Sequence, residues 1–595
     1  MVSYKAPLDD IRFVLYELLD YEGTVAMLPG YEDATRDGVD AVLDEAARFC
    51  ENELLPLNGP GDAEGCTFEN GVVRTPQGFK EAYRAFTTAG WTSLACDPNY
   101  GGQGLPNALQ FALEELICST NLSFGIYPGL SHAGYHAIAL HGSDEQKRLY
   151  LPKMVDGTWS STMCLTEPQC GTDLGLVRTK AEPNGDNTYK ITGTKIFISA
   201  GEHDLTENIV HLVLARLPGA PSGTRGISLF VVPKFQVNPD STLGARNGVS
   251  CGSIEQKMGI KASSTCAMNF DGAEGTLVGE PHKGMRTMFT MMNAARLAIG
   301  LQGLGLAETA YQSAVAYARE RLQGRSLAGP KFPDHPADPI IVHPDVRKNL
   351  LTMRAYNEGA RALALWVGMA MDIAVKHPDS ARRMEADDLV ALMTPVIKAF
   401  FTDYGFEATN LGLQVFGGYG YIRDSGMEQL VRDARIAQIY EGTNGIQALD
   451  LVGRKMAQHS GRLLRRFFHP VSEFIEESTG DPQLQEFVLP LAKAFAKLQQ
   501  VTVWVAQKGL RDRDEAGAAA TDYLRMFALV VLAYMWARTA RLATARLGGE
   551  KDRFYQAKLA TARFYMRRLL PQTSALFTAI TAGAASIMDV REEWF

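Results

Sequence analysis

The chain runs to 595 residues, too many for one hydrophobic core, so several packing units are expected. A net charge of −8 leaves no excess of Lys and Arg to neutralise phosphates, which argues against nucleic acid as a partner. The eight cysteines form no Cys-x-x-Cys pair, so neither a zinc site nor a redox dithiol is expected, and their sparsity suits a reducing, cytoplasmic setting.

Residues 1–37 read as an N-terminal arm, helical around 11–19 and broken at Pro29-Gly30. Asp9 and Asp10 stand where a signal peptide would be basic, so no secretory leader is expected. Residues 38–157 have a helical pattern: Val42, Ala46 and Phe49 share a face, and a second apolar series runs over 109–116. A turn-rich segment, residues 97–104, lies between them. Over 158–280 the texture becomes that of a β domain. Residues 189–199 read as two short strands meeting at Gly193, and the β-branched runs 209–214 and 227–232 suit strands. The helical period returns over 281–459. Beyond it, 460–595 form an added helical domain with long helices expected at 491–509, 518–547 and 554–570. The longest apolar run, 526–537, is bounded by Arg525 and Arg538. It is shorter than the roughly 20 residues that cross a bilayer, so a buried helix and no membrane span are expected.

Four motifs carry chemistry along this order. The first, Cys164-Leu165-Thr166-Glu167-Pro168 followed by Gly171-Thr172-Asp173, is a turn whose hydroxyls and amides can bond the polar edge of a flat heterocycle. The second is the strand Lys195-Ile196-Phe197-Ile198-Ser199, with one aromatic that could cover a ring. The third ends a long helix, Tyr317 to Arg321 and then Gln323-Gly324-Arg325, where a guanidinium offers a fixed fork of donors to phosphate. The fourth joins Gln414-Val415-Phe416-Gly417-Gly418 to Ile439-Tyr440-Glu441-Gly442-Thr443-Asn444. Paired glycines let backbone approach a phosphate closely. Apolar Ile439 and Tyr440 before Glu441 suggest a partly desolvated carboxylate, raised toward the range of a working base.

Together these motifs resemble the acyl-CoA dehydrogenase family over roughly residues 38–455. The resemblance implies an α+β multidomain fold: an N-terminal helical domain, a middle β-barrel domain and a helical bundle carrying the catalytic glutamate. It implies FAD as cofactor. Leu165, Thr166, Phe197, Ser199 and Thr443 are then placed at the flavin, while Arg321, Gln323, Gln414, Gly417 and Gly418 fall on the diphosphate and adenine side, the last three toward a neighbouring subunit's flavin. Thr172, Arg296 and Gly442 fall on the substrate side. Phe197 replaces the family's usual tryptophan, Gln323-Gly324-Arg325 lacks its aromatic, and Gly445 stands where many members carry a glutamine. A minority of the family places its base at the position of Ala295, and alanine cannot serve, which leaves Glu441.

The reaction so implied is α,β-dehydrogenation of an acyl-CoA thioester to the trans-2-enoyl-CoA, with electrons passed to electron-transfer flavoprotein. The added C-terminal domain resembles that of the 3-(methylthio)propanoyl-CoA dehydrogenases of dimethylsulfoniopropionate degradation and of some medium- and long-chain dehydrogenases of fatty acid metabolism. That domain would cover the surface buried between dimers in tetrameric relatives, so a homodimer is expected. The substrate expected is 3-(methylthio)propanoyl-CoA or a short- or medium-chain acyl-CoA. An acyl-CoA oxidase and a non-catalytic acyl-CoA-binding scaffold are rival readings, beside a medium- or long-chain dehydrogenase of β-oxidation and a helical interaction protein with chance motifs. The terminal Glu592-Glu593-Trp594-Phe595, unlike a peroxisomal tail, disfavours the oxidase, and retention of Glu441 disfavours the scaffold.

Overall fold

The computed structural model describes residues 2–595 as two compact units. The first, helical unit comprises residues 2–47, 106–119 and 299–595; the second comprises 48–105 and 120–298.

In the second unit the β run forms a seven-stranded sheet. Five strands close a ring: Thr265–Val278 pairs Thr188–Ser199, which pairs Lys180–Pro183, which pairs Asn208–Arg216, which pairs Ile227–Pro233, which returns to Thr265–Val278. Val249–Ile254 and Trp159–Cys164 extend it. Closure follows from strands with two apolar faces. Val213, Ala215, Phe230 and Val232 turn into the barrel core with Ile191, Ile198 and Phe270. Their neighbours Leu212, Leu214, Leu229 and Val231 face helical residues such as Leu151, Met288 and Met291. This is the period-2 alternation of strands buried on both sides.

Two sequence expectations are corrected here. Residues 189–199 form one continuous strand, Thr188–Ser199, and not two. Gly193 makes no turn: a Cβ there would meet Thr179 Oγ1 at 2.5 Å, so the glycine admits a close neighbour. The stretch 38–157 also contains a short hairpin, Thr67–Glu69 with Val72–Arg74, which its three-residue strands were too brief to signal.

The helical unit is built on long helices, Pro344–Lys376, Ser380–Phe416, Gln485–Arg511 and Arg513–Ala545. Asp379 caps one of them by accepting the Ala381 N–H at 2.8 Å, and Gly417 ends it with φ 60°. Residues 526–537 are all buried, as a core helix requires. Ser380–Phe416 and Arg513–Ala545 are long and apolar enough to cross a membrane, but 78% and 67% of their apolar windows lie inside the protein. The added helix docks on the bundle through Trp536, whose indole N–H donates to the Ala355 carbonyl at 2.9 Å. A Cβ at Gly359 would come within 2.9 Å of that nitrogen, so only glycine permits the approach. Helix Arg462–Ser478, which no sequence signal had singled out, precedes it.

The N-terminal arm is tied in by charge. Arg361, 1% exposed, bonds both oxygens of Glu115 at 2.9 and 3.1 Å, Glu308 at 3.0 Å, and Asp10. Lys558 reaches Asp10 and, at 2.7 Å, Glu358, which also takes Arg354 at 2.6 Å. Burial works against the Asp10 carboxylate, yet Lys558 and Arg361 hold its pKa below the ordinary value.

Candidate active site

The expected site residues divide between the units. Leu165, Thr166, Thr172, Phe197, Ser199 and Arg296 belong to the second; Arg321, Gln323, Gln414, Gly417, Gly418, Glu441, Gly442 and Thr443 belong to the helical unit. Each set is built by its own elements.

In the β unit the loop after strand Trp159–Cys164 lies along strand Thr188–Ser199: the Ile196 N–H donates to the Thr166 carbonyl at 2.9 Å. Buried Lys195 fixes both, donating to the Leu165 carbonyl at 3.0 Å and to Glu167 Oε1 at 2.8 Å. Glu167 also accepts the Arg178 and Thr179 amides at 2.7 and 3.0 Å. Burial alone would raise the Glu167 carboxyl, but Lys195 and these donors bring it down to about 2. Leu165, Thr166 and Phe197 are thereby brought together, and Ser199 follows on the same strand. Phe197 is unusual. It is 59% exposed, has φ 58°, and sits where the register with Thr265–Val278 slips between Lys195 and Ile198. A bulge with a left-handed aromatic costs strain, and bulges beside sites re-aim side chains. Thr172 is exposed on the loop beyond. Arg296 is buried at 4% exposure on helix Gly284–Glu320, donating to Asn293 at 3.1 Å.

The helical unit holds two clusters. In one, the turn after Phe416 meets the end of helix Gly284–Glu320: Tyr317 stacks on Phe416 at 4.2 Å, and Arg321 lies 5.8 Å from the Tyr419 ring. Gln414, Gly417 and Gly418 are exposed there, and a Cβ on either glycine would meet nothing within 4 Å. Gln323 opens a loop whose hub is Asp338, fully buried, accepting the Ser326 and Phe332 amides at 2.9 and 2.8 Å and Arg325 at 3.3 Å.

The other cluster is the Glu441 turn. Gln438 and Asn444 both donate to Asp403 Oδ1 at 2.7 Å, and Lys398 donates to Asn444 at 2.9 Å, so helix Ser380–Phe416 pins both ends. Between the pins Glu441 has φ 56° and Gly442 φ 86°. A non-glycine residue held left-handed is strained, and strain of this kind persists where surroundings over-determine it. Here the surroundings include Gln447, fully buried, whose amide donates to the Gly442 carbonyl at 3.0 Å and approaches that of Glu441 at 3.5 Å. Tyr440 donates to Gln302, and Thr443 to the Gln438 carbonyl at 3.2 Å. Glu441 itself is half-buried. Ile439, read from the sequence as desolvating it, is 52% exposed, because the tight turn Ile436–Gln438 points Ala437 inward instead.

Lys195, Gln447 and Asp338 were not singled out from the sequence for these roles. Lys195 lies within strand Thr188–Ser199, just before the apolar Ile196-Phe197-Ile198, and could have been suspected from that place; Gln447 and Asp338 left no signal.

The sequence matches the acyl-CoA dehydrogenase N-terminal domain over residues 37–158, the middle domain over 162–273 and the C-terminal domain over 282–456. A further match, described as acetyl-CoA dehydrogenase C-terminal like, covers 467–591. The chain belongs to the acyl-CoA dehydrogenase family. It is 43% identical over 590 residues to the 3-methylmercaptopropionyl-CoA dehydrogenase of Ruegeria pomeroyi, covering 99% of each chain. It is 33% identical to a broad-specificity linear acyl-CoA dehydrogenase of Mycobacterium tuberculosis, covering 100% of each. A Bacillus anthracis acyl-CoA dehydrogenase complexed with FAD superposes with a TM-score of 0.73 at 22% identity, covering 96% of this chain and 91% of that one.

As an acyl-CoA dehydrogenase the protein is an oxidoreductase that binds acyl-CoA and uses FAD. Its own residues fit that cofactor: an exposed aromatic face on a bulged strand, and a glycine pair whose backbone stands open beside Arg321.

Because Gln447 clamps the carbonyls beside Glu441, Gln447→Met is expected to lower kcat by about 10- to 100-fold, the cost of an ångström-scale misplacement, while KM moves only a few-fold. Steady-state kinetics on the flavin-loaded variant checks this, and an equal loss appearing in KM would contradict it.

Proposed function

We propose that this acyl-CoA dehydrogenase oxidises 3-(methylthio)propanoyl-CoA, with Glu441 as the base. The substrate reading rests on the end-to-end likeness to the Ruegeria pomeroyi enzyme, including the added domain. The base reading rests on the strained Glu441-Gly442 turn, held by Asp403, Lys398 and Gln447.

In this mechanism the thioester carbonyl accepts a hydrogen bond from the Glu441 N–H, which stabilises developing enolate charge. Glu441 removes the α-proton and holds it on a carboxyl oxygen. Gly442 leaves room for the thioester beside the base. Bound FAD supplies the hydride acceptor for the β-hydrogen. Leu165, Thr166, Phe197, Ser199 and Thr443 would hold the ring, and Arg321, Gln323, Gln414, Gly417 and Gly418 the diphosphate arm, the last three of a partner's flavin. Thr172 and Arg296 would meet the substrate. Electron-transfer flavoprotein is the proposed acceptor and the cytoplasm the proposed location.

Anaerobic flavin bleaching with 3-(methylthio)propanoyl-, butanoyl-, octanoyl- and palmitoyl-CoA tests the substrate. The thioether substrate is expected to react fastest. A preference of about tenfold or more for a longer chain would favour a linear acyl-CoA dehydrogenase like the mycobacterial relative. Release of peroxide in place of reduction of electron-transfer flavoprotein would restore the oxidase reading.

The docking of Trp536 onto Gly359 covers a face of the bundle with the chain's own helix, which supports a homodimer. Light scattering is expected to give a dimer mass, and a tetramer mass would refute it.

A further inference from the structure

We propose that a cavity of about 880 Å³ in the helical unit binds a free fatty carboxylate of medium chain length. The volume falls within the ~300–1,000 Å³ of small-molecule sites. One wall is a stripe on helix Pro344–Lys376, where Trp366, Met369, Ala370 and Ile373 follow helical spacing over about 10 Å. Leu28 of the arm and Leu389 of the next long helix complete an apolar trough.

The anion end is set by Arg538, which lines the same cavity from helix Arg513–Ala545. Its guanidinium donates to the Leu18 carbonyl at 2.9 Å and lies 5.5 Å from the Tyr534 ring. Among the described residues no carboxylate lies within ion-pair distance of it. A recessed cation without a counter-ion is costly, and an anion from outside would relieve the cost. Of the other arginines and acids lining the trough, Arg466 is paired with Glu385 and Asp388 and Arg382 with Glu385, while Arg465, which donates to the Ser460 carbonyl, and Glu473 are exposed to solvent. One recessed guanidinium without a carboxylate partner on an apolar trough matches a single carboxylate on a single unbranched chain, since guanidinium engages carboxylate with two parallel donors. No motif of the acyl-CoA site contributes a lining residue.

Titration calorimetry on the FAD-loaded enzyme, its active site saturated with enoyl-CoA, tests this with decanoate against decan-1-ol and acetate. Decanoate is expected to bind one site per chain, about tenfold or more tighter than either control, with no change in flavin absorbance. Arg538→Met should remove that preference. Because Arg538 also holds the Leu18 carbonyl, a second variant guards against a folding defect: Met27→Glu, at a position 72% exposed on the cavity lining, should weaken decanoate binding by repulsion, while Met27→Lys should not. Equal affinity for decanoate and decan-1-ol, displacement of decanoate by acyl-CoA, or unchanged binding in Met27→Glu would overturn the proposal.

Discussion

Glu441→Gln is expected to fold, keep its flavin absorbance and lose about two to four orders of magnitude in kcat, the range for removing a positioned general base. The amide matches the carboxylate in shape, so the turn with φ 56° and its Gln447 clamp have no reason to change. What disappears is the only oxygen pair proposed to accept the α-proton, since Ala295 offers none at the family's alternative position. Glu441→Asp separates proximity from chemistry. It keeps the base one methylene short of its place and should retain an intermediate rate. Stopped-flow reduction of the flavin by substrate measures both, and a Gln variant within about tenfold of wild type would remove Glu441 from the mechanism.

The second large effect is on stability. Arg361→Met is expected to destabilise the helical unit by about 3–5 kcal/mol, the usual consequence of removing one partner from a buried ionic group. Four carboxylates, Asp10, Glu115, Glu308 and Glu358, share three cations, Arg354, Arg361 and Lys558, and Arg361 touches three of the four acids. Without it Glu115 and Glu308 have no cation in reach among the described residues. Burial already raises the Glu115 carboxyl even with Arg361 beside it, so the variant should raise it further. A carboxyl whose folded pKa lies above its unfolded value favours the native state as pH falls. The variant's deficit should therefore be largest near neutrality and shrink toward acid pH. Urea unfolding followed at several pH values checks both magnitude and sign; a deficit that grew on acidification would contradict the account.

Much of the fold was legible because patterns are local. The helix–β–helix order, the core helix at 526–537 and the strands at 209–214 and 227–232 follow from periodicity over a few residues. Glu441 stood out as the candidate base through its neighbours in sequence, Gly442, Thr443 and the paired glycines upstream. What stayed hidden depends on distance in the chain. Gly193 reads as a turn until Thr179 is seen against it. Lys195 looks like a strand's polar residue until Glu167 is found beneath it. Backbone strain at Phe197 and Glu441 leaves no trace in composition, since φ is set by packing and not by residue type at either position. Ile439 misled because hydrophobicity was read as burial, whereas a tight turn decides which of two adjacent residues faces inward.

Asp10 and Lys558, which meet in the buried ionic group, are separated by 548 positions. During synthesis at ~5–20 residues per second, the acid leaves the ribosome about half a minute or more before its lysine exists. Arg361 is available to the acid earlier, but the ionic group lacks its third cation until almost the last helix has been made, so the arm and the added domain complete it together.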